Sequence, residues 1–589
     1  MPFTTPTLPP VDPAAYVRLP FAERMRTLTT FWAENGYGSP TMLHLIYMAK
    51  FVLLSSLGGL LVVTLTSPGV GSILDVGSWW NEPIVYQKLV LWVALLEIFG
   101  VGGAWGPLTG HFKPFYGGAR YFLRPGLLRM APWPGKVPFT DGTRRTPFDA
   151  FLYFAYLASL AVALVLPGVE YGEPLPAMAG GVVRHEALIA PIVLLVVLGL
   201  RDKVAFLCGR GEQYLPAMVF FAILAPHDMV IAGKLLIVVI WCGAAFSKLG
   251  KHFENVVPPM VSNTPWAPKS MRRAHYRDFP RDLRPSKTAW FMAHVMGTIA
   301  EMGVPLVLLF TTNWTITLLG VAAMVAFHLF ITSTFPLAVP LEWNILFGFI
   351  AVALFAGHPN GDGYSIFDFS EPWMLPVFAA ALLFFPVLGN LRPDLVSFLP
   401  SMRQYAGNWA SAVWTFEPGA DQKLKAVGMP VGLHTEQLAA LDIPRDVRKI
   451  MIDLFVAWRS MHSQGRGLIS VLRNYLGDDL DTRDVWEGET GANLLLGWNF
   501  GDGHIHGIRF LEALRERCAF EPGEFVVAWV ESQPVHKSHQ EWFVFDGALG
   551  VTQRGTWQVA DCVAEQPWLP NGPIPLDITW RSNQTGATT

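Results

Sequence analysis

From residue 41 to residue 390, apolar residues come in long blocks separated by short polar stretches. The blocks cover 41–66, 86–106, 148–166, 184–201, 212–226, 230–249, 289–310, 313–333, 341–357 and 372–390. A bilayer-spanning helix needs roughly 20 apolar residues. The pattern therefore predicts an all-α polytopic membrane bundle of about ten transmembrane helices over 41–390, in which 212–226 is short and interrupted by Pro216. Residues 1–40 form an N-terminal surface segment. Its amphipathic piece from Tyr16 to Trp32, with Arg18, Arg24 and Arg26, is expected to lie on the inner membrane surface.

Beyond Asn390 the pattern changes, and residues 400–565 read as a small cytoplasmic α+β domain. Val447, Ile450, Met451, Leu454, Phe455 and Trp458 recur at helical spacing, which predicts a helix over 444–462; a second is predicted over 507–518. Glu524–Glu531, Glu541–Phe545 and Thr556–Val559 read as strands, with Asp546-Gly547 as a turn. Residues 566–589 are rich in Pro, Asn and Thr and read as an irregular tail.

Composition agrees with this division: 52% of the 589 residues are hydrophobic and 15% are charged, against about 25% charged in an ordinary soluble chain. A net charge of −3 argues against nucleic-acid binding. The four cysteines are scattered without a CxxC or a disulfide framework, and the Pro-rich lead shows no signal-peptide pattern.

The placement of charge is more informative than its total. The 107–147 loop holds seven Lys or Arg, and the 250–288 loop holds eight. Lys203 and Arg210 lie in 202–211, whereas 67–85 offers only Asp75 and Glu82. Positive-inside alternation then puts both termini in the cytoplasm of a plasma-membrane protein, provided that 212–226 also spans. Trp79, Trp80, Trp290, Trp314, Trp343 and Trp373 fall near span ends, as aromatic belts do.

Ionisable residues inside apolar spans are costly and mark candidate sites. Lys248 and His252 end the sixth span, His294 and Glu301 lie in the seventh, and His328 lies in the eighth. Glu342 and Asn344 open the ninth. The topology puts Lys248, His252, His294, His328, Glu342 and Asn344 in the cytoplasmic half, with Glu301 near mid-depth. A polar pocket is one reading of this group; a snorkelling Lys248 that meets lipid phosphate is the other. Lys50 and Glu97 fall at equal depth in the first two spans and are expected to form a structural ion pair. His504, His506, His536 and His539 are the candidates for metal binding, but no Cys or His completes a known spacing.

The segment Ala-Ala-Phe-Ser-Lys248-Leu, with Glu301 in the next span and Phe-His328 after it, resembles the transmembrane domain of vitamin K-dependent gamma-carboxylases and their bacterial relatives. The resemblance covers about residues 190–360 and implies a lysine base, at Lys248, that acts on a quinol, with His328 matching a histidine of the family. The acid and Trp that follow the lysine in that family are replaced here by Gly-Lys-His252-Phe-Glu254-Asn, and the predicted site faces the cytoplasm. The whole chain resembles an uncharacterised multi-pass family of actinomycete-type bacteria.

Two functions follow as expectations. One is a membrane enzyme acting on a membrane-soluble quinol, menaquinone-like, or on a lipid, with Lys248, Glu301 and His328 as catalytic candidates. The other is a non-catalytic lipid-binding or transport component, or a scaffold of envelope machinery. Either way the partners are the bilayer and a membrane-soluble small molecule.

Overall fold

The apolar runs fold as helices in the computed structural model, which describes residues 2–101, 110–112, 118–171, 179–334, 341–396, 407–497 and 505–583, the side chains of Leu341 and Glu342 excepted. An amphipathic α1 (Phe21–Asn35) comes first. The apolar helices follow as α2 (Thr41–Thr66), α3 (Pro83–Phe99), α4 (Pro147–Val165), α5 (His185–Arg201) and α6 (Gly211–Ile223). Then come α7 (Pro226–Ser247), α8 (Lys287–Phe310), α9 (Trp314–Thr334), α10 (Leu341–Ala351, continued by Val352–Ala356) and α11 (Met374–Leu391). Proline stands in the first turn of α3, α4 and α7, where its missing N–H costs nothing. Thr146 and Asp149 close a capping box on α4.

Among the described residues, six helices are long and apolar enough to cross a membrane: α2, α4, α7, α8, α9 and α11. The bent pair Trp343–Ala356 and Asn360–Asp368 would make a seventh. The expected ten are present as helices, but α3 and α5 have 17 residues and α6 has 13. Buried share identifies the central helix: 83% of the apolar window of α7 is buried, against 22–39% for the other five. A helix that is apolar all round belongs in the interior.

The interhelical loops gather at two ends. At the basic end, Arg145 pairs with Asp202 at 2.5 Å and Arg509 donates to Ala131 O at 2.9 Å. There too, Arg284 donates to Ala564 O at 2.9 Å. At the other end, Glu82 accepts from Gly180 N at 3.2 Å, His358 contacts Asn81 O at 2.9 Å, and His227 contacts Gly363 O at 2.8 Å.

The basic end carries the C-terminal region. It contains β1 (Ser411–Phe416), α12 (Arg445–Met461), α13 (Ser463–Leu476), β2 (Asp484–Glu487) and α14 (Ile508–Cys518). The last strands are β3 (Phe525–Val530), β4 (His539–Asp546), β5 (Gly550–Gln558) and β6 (Asp577–Arg581). They form one antiparallel sheet in the order β2-β1-β3-β4-β5-β6. Arg459 of α12, fully buried, pairs with Glu487 at 2.6 Å and Glu489 at 3.2 Å, tying helix to sheet.

Three expectations change here. First, the N-terminal segment does not present its amphipathic face to a membrane surface. Phe21, Met25, Leu28 and Trp32 are buried, α1 packs on α12, Tyr16 donates to Asp453 Oδ2 at 2.8 Å, and Arg24 pairs with the same carboxylate at 3.2 Å. The apolar stripe found protein instead of lipid. Second, the segment after Gln566 contains β6, which pairs with β5. A Cβ at Gly555 would lie 2.3 Å from Asp577 O, so glycine there permits the close approach of the two strands. Third, β1 and β2 are strands that the sequence pattern does not predict. Every residue of β1 is buried, so it lacks the alternation that marks a half-exposed strand.

Candidate functional site

Lys248 caps the C-terminus of α7, where the helix ends and its side chain turns inward against α8. Its ammonium is hydrogen-bonded to Glu301 Oε2, and both side chains are buried. Nζ lies 5.5 Å from the Phe253 ring and 6.0 Å from the Phe327 ring, so aromatic faces complete its surroundings.

One turn and more up the same helix, Trp241 Nε1 donates to His328 Nε2 at 2.9 Å. His328 Nδ1 meets Asn344 Oδ1 at 2.8 Å. An indole nitrogen can only donate, so Nε2 accepts and the imidazole proton sits on Nδ1. Sequence-predicted residues of four helices thus meet in two adjacent sets, Lys248 with Glu301 and His328 with Asn344, with Trp241 joining the second.

The remaining candidates lie elsewhere. His252 is braced by the C-terminal region, with Nδ1 at 2.7 Å from Ser463 Oγ and Nε2 at 2.8 Å from Gln533 Oε1. His294 stands half-buried beside the Trp290 ring, 5.5 Å away. The Glu342 side chain lies outside the described residues. Lys50 and Glu97 do not form the expected pair among the described ion pairs. Glu97 faces Arg210 at 3.5 Å and Tyr214 at 3.3 Å, while Lys50 sits over the Tyr47 ring at 4.5 Å.

His504 also lies outside the described residues. Burial pulls the pKa of His506 down to about 3, His536 is exposed, and His539 opens β4. Among the described residues no group of three or more His, Cys, Asp or Glu could hold a metal ion.

A family model described as a transmembrane protein of unknown function (DUF3556) matches residues 1–579. The chain belongs to that transmembrane family. No curated protein and no solved structure matches it, and none of these comparisons links it to the carboxylases. As a transmembrane protein it contacts the bilayer, and Leu53, Leu65, Ile299 and Leu319, all in helices apolar enough to cross it, are each more than half exposed in the isolated chain.

Two buried lysines inside apolar runs were missed. Lys234 of α7 donates to His358 O at 2.7 Å, Asn360 Oδ1 at 2.8 Å and Tyr364 O at 2.8 Å. Lys88 of α3 donates to Thr66 O at 2.9 Å, Thr66 Oγ1 at 2.7 Å and Leu166 O at 3.0 Å. Each saturates an ammonium with neutral acceptors at the ends of neighbouring helices. An isolated lysine within a span was the available signal.

A further site is one that the sequence did not indicate. A cavity of about 1300 Å³ runs between α5, α6, α7 and α11 and reaches the C-terminal sheet. That exceeds the ~300–1,000 Å³ of an ordinary small-molecule pocket. Val196, Leu200, Leu215, Val219, Val239 and Phe385 line its helical part. Trp529, Phe543 and Arg554 line its sheet end, beside Lys203, Glu212 and Arg509. Gly199 and Gly211 leave the space that the Phe206 ring fills on the wall, since a Cβ would come within 2.6 Å and 2.4 Å of it. Neither Lys248, Glu301 nor His328 lines this cavity.

Proposed function

We propose that this transmembrane protein binds a lipid-like amphiphile at the cytoplasmic boundary of the plasma membrane, as a lipid-handling component. The observation that carries the reading is the change in the cavity wall from apolar helix faces to a sheet end that carries charged side chains. Acyl chains match the first surface and a polar headgroup the second. The proposal includes about ten crossings with both termini cytoplasmic. In its favour, the basic loops and the C-terminal region share one end, and α6 leads from Arg210 at that end to the loop of His227 at the other. Headgroups then meet the sheet on the cytoplasmic side.

The test is mass spectrometry of lipid released from the purified full chain, compared with Val219→Trp, which fills the helical part of the cavity. Wild type should release a stoichiometric amphiphile, and the filled variant, if it elutes and melts normally, should release little. Equal recovery from both would overturn the reading.

A second reading keeps Lys248 as a base that acts on a membrane-soluble quinol or lipid, with Glu301 and His328. What favours it is that Lys248 is shielded and hydrogen-bonded to Glu301, where a snorkelling lysine would reach outward to phosphate. The similarity of the Ala-Ala-Phe-Ser-Lys248-Leu segment to the carboxylases points the same way.

A further inference from the structure

The sheet end of the cavity is built by strand register. Trp529 of β3 lies opposite Phe543 of β4, and Phe543 lies opposite Arg554 of β5. Directly opposed residues in an antiparallel pair share a face, so the three side chains form a row across the sheet. The Trp529 and Phe543 rings stack, with centroids 4.9 Å apart and planes at 27°. The Arg554 guanidinium lies 5.8 Å from the Phe543 centroid, ending the row in a cation. Among the described residues, the Arg554 side chain has no hydrogen-bond or ion-pair partner.

A second guanidinium faces the same mouth. Arg509, in the first turn of α14, donates Nη1 to Ala131 O at 2.9 Å and to Pro132 O at 3.4 Å. Both acceptors are neutral carbonyls, which hold the side chain in place without cancelling its charge. Among the described residues, Arg509 has no carboxylate partner either. The amino end of α14, from Gly507 to Arg509, also borders the cavity, and the free amides of a helix start favour an anion.

Three carboxylates around the mouth, those of Glu541, Asp394 and Glu531, have partners other than these two guanidiniums. Glu541 pairs with Lys537 at 2.6 Å and Asp394 with Arg392 at 2.5 Å. Glu531 accepts from Ser532 N at 2.7 Å. Among the described residues, neither of the two guanidiniums lining the cavity is paired with any of these acids.

Resting on the amphiphile reading above, we infer that the cavity selects an acidic phospholipid, whose phosphate is held between Arg509 and Arg554 while its acyl chains lie between α5, α6 and α11. Guanidinium forks suit phosphate oxygens, which accept two parallel N–H bonds. A zwitterionic headgroup brings its own cation to the phosphate and gains less from the same pair.

The experiment is native mass spectrometry of the full chain in detergent, titrated with phosphatidylglycerol or phosphatidylcholine of matched acyl chains. Wild type should prefer phosphatidylglycerol by about tenfold, close to the worth of one charge-assisted hydrogen bond. Arg509→Gln with Arg554→Gln should abolish the preference while phosphatidylcholine binding persists. Arg554→Gln alone, at an exposed position that folding does not depend on, should reduce it. No preference in wild type, or a preference that survives the double change, would overturn the headgroup assignment and leave the cavity reading standing. Val219→Trp should remove both lipids; if it removes neither, the cavity reading itself fails. Glycerol 3-phosphate should not compete at equal concentration, and full competition would identify a soluble phosphate ester as ligand and overturn the lipid assignment.

Discussion

Trp241 donates its indole N–H to His328 Nε2, and that bond forces the imidazole proton to the opposite nitrogen, where Asn344 receives it. The histidine is thereby a neutral connector between α7, α9 and α10. His328→Phe keeps a ring but strips both hydrogen bonds from buried groups. We expect a loss of about 1–3 kcal/mol for each donor or acceptor left unsatisfied, read as a lower melting temperature in detergent. Nitrogen-15 spectra of labelled protein should show the Nδ1–H tautomer. Nε2–H in those spectra would refute the assignment.

Lys248 and Glu301 are a buried pair, so single and double changes should differ. Lys248→Met or Glu301→Leu alone strands one charge and should cost about 3–5 kcal/mol, whereas the double change should regain most of it. Equal damage from all three variants would mean that the two groups are not coupled. Lys248→Arg addresses chemistry separately, because guanidinium holds its proton in proteins. If Lys248 is a base, Arg should fail to complement a deletion strain at normal protein level. Full rescue would leave the lipid-binding reading alone.

Residues 566–589 carry β6, a hydrogen bond from Ile574 N to Ser470 Oγ at 3.1 Å, and one from Leu283 N to Gln566 Oε1 at 3.1 Å. Truncation after Glu565 should bare the edge of β5 and remove the Leu283–Gln566 bond, while His252 and Arg284 still hold the 250–288 loop to the C-terminal region. Exposed strand edges pair with other chains. The shortened chain should elute as larger species and melt earlier. An unchanged profile in both measurements would show that β6 contributes nothing to stability.

Burial pulls His434, His462 and His506 of the C-terminal region to pKa values of about 3, from an ordinary 6.5. They stay neutral in the folded chain while the unfolded chain takes up protons below pH 6.5. Between those values the unfolded state binds more protons, so stability falls as pH falls. Each contributes up to about 1.4 kcal/mol per pH unit in that window. The melting temperature should drop between pH 7 and pH 5, and His434→Phe should make the drop shallower. A variant with an unchanged slope would show that His434 titrates normally when folded.

The sequence by itself determined the positions of the apolar helices, because blocks of apolar residues bounded by Pro, Trp and basic loops carry their own physical meaning in a membrane. It also brought out Lys248, Glu301, His328 and Asn344, since an ionisable or amide group in a span must find a partner. Which partner each one finds was beyond it. Periodicity gives a residue's depth and helix face but not the rotation of that face toward a neighbour, so it did not show that Glu97 faces Arg210. The docking of α1 on α12 followed from the same limit, because an apolar stripe suits lipid or protein equally well. The cavity was decided only by tertiary structure. Its wall joins Val219, Arg509 and Arg554, three residues far apart in the chain whose side chains each read as ordinary. Only the packing of a sheet face against the open end of α5, α6 and α11 makes them one surface.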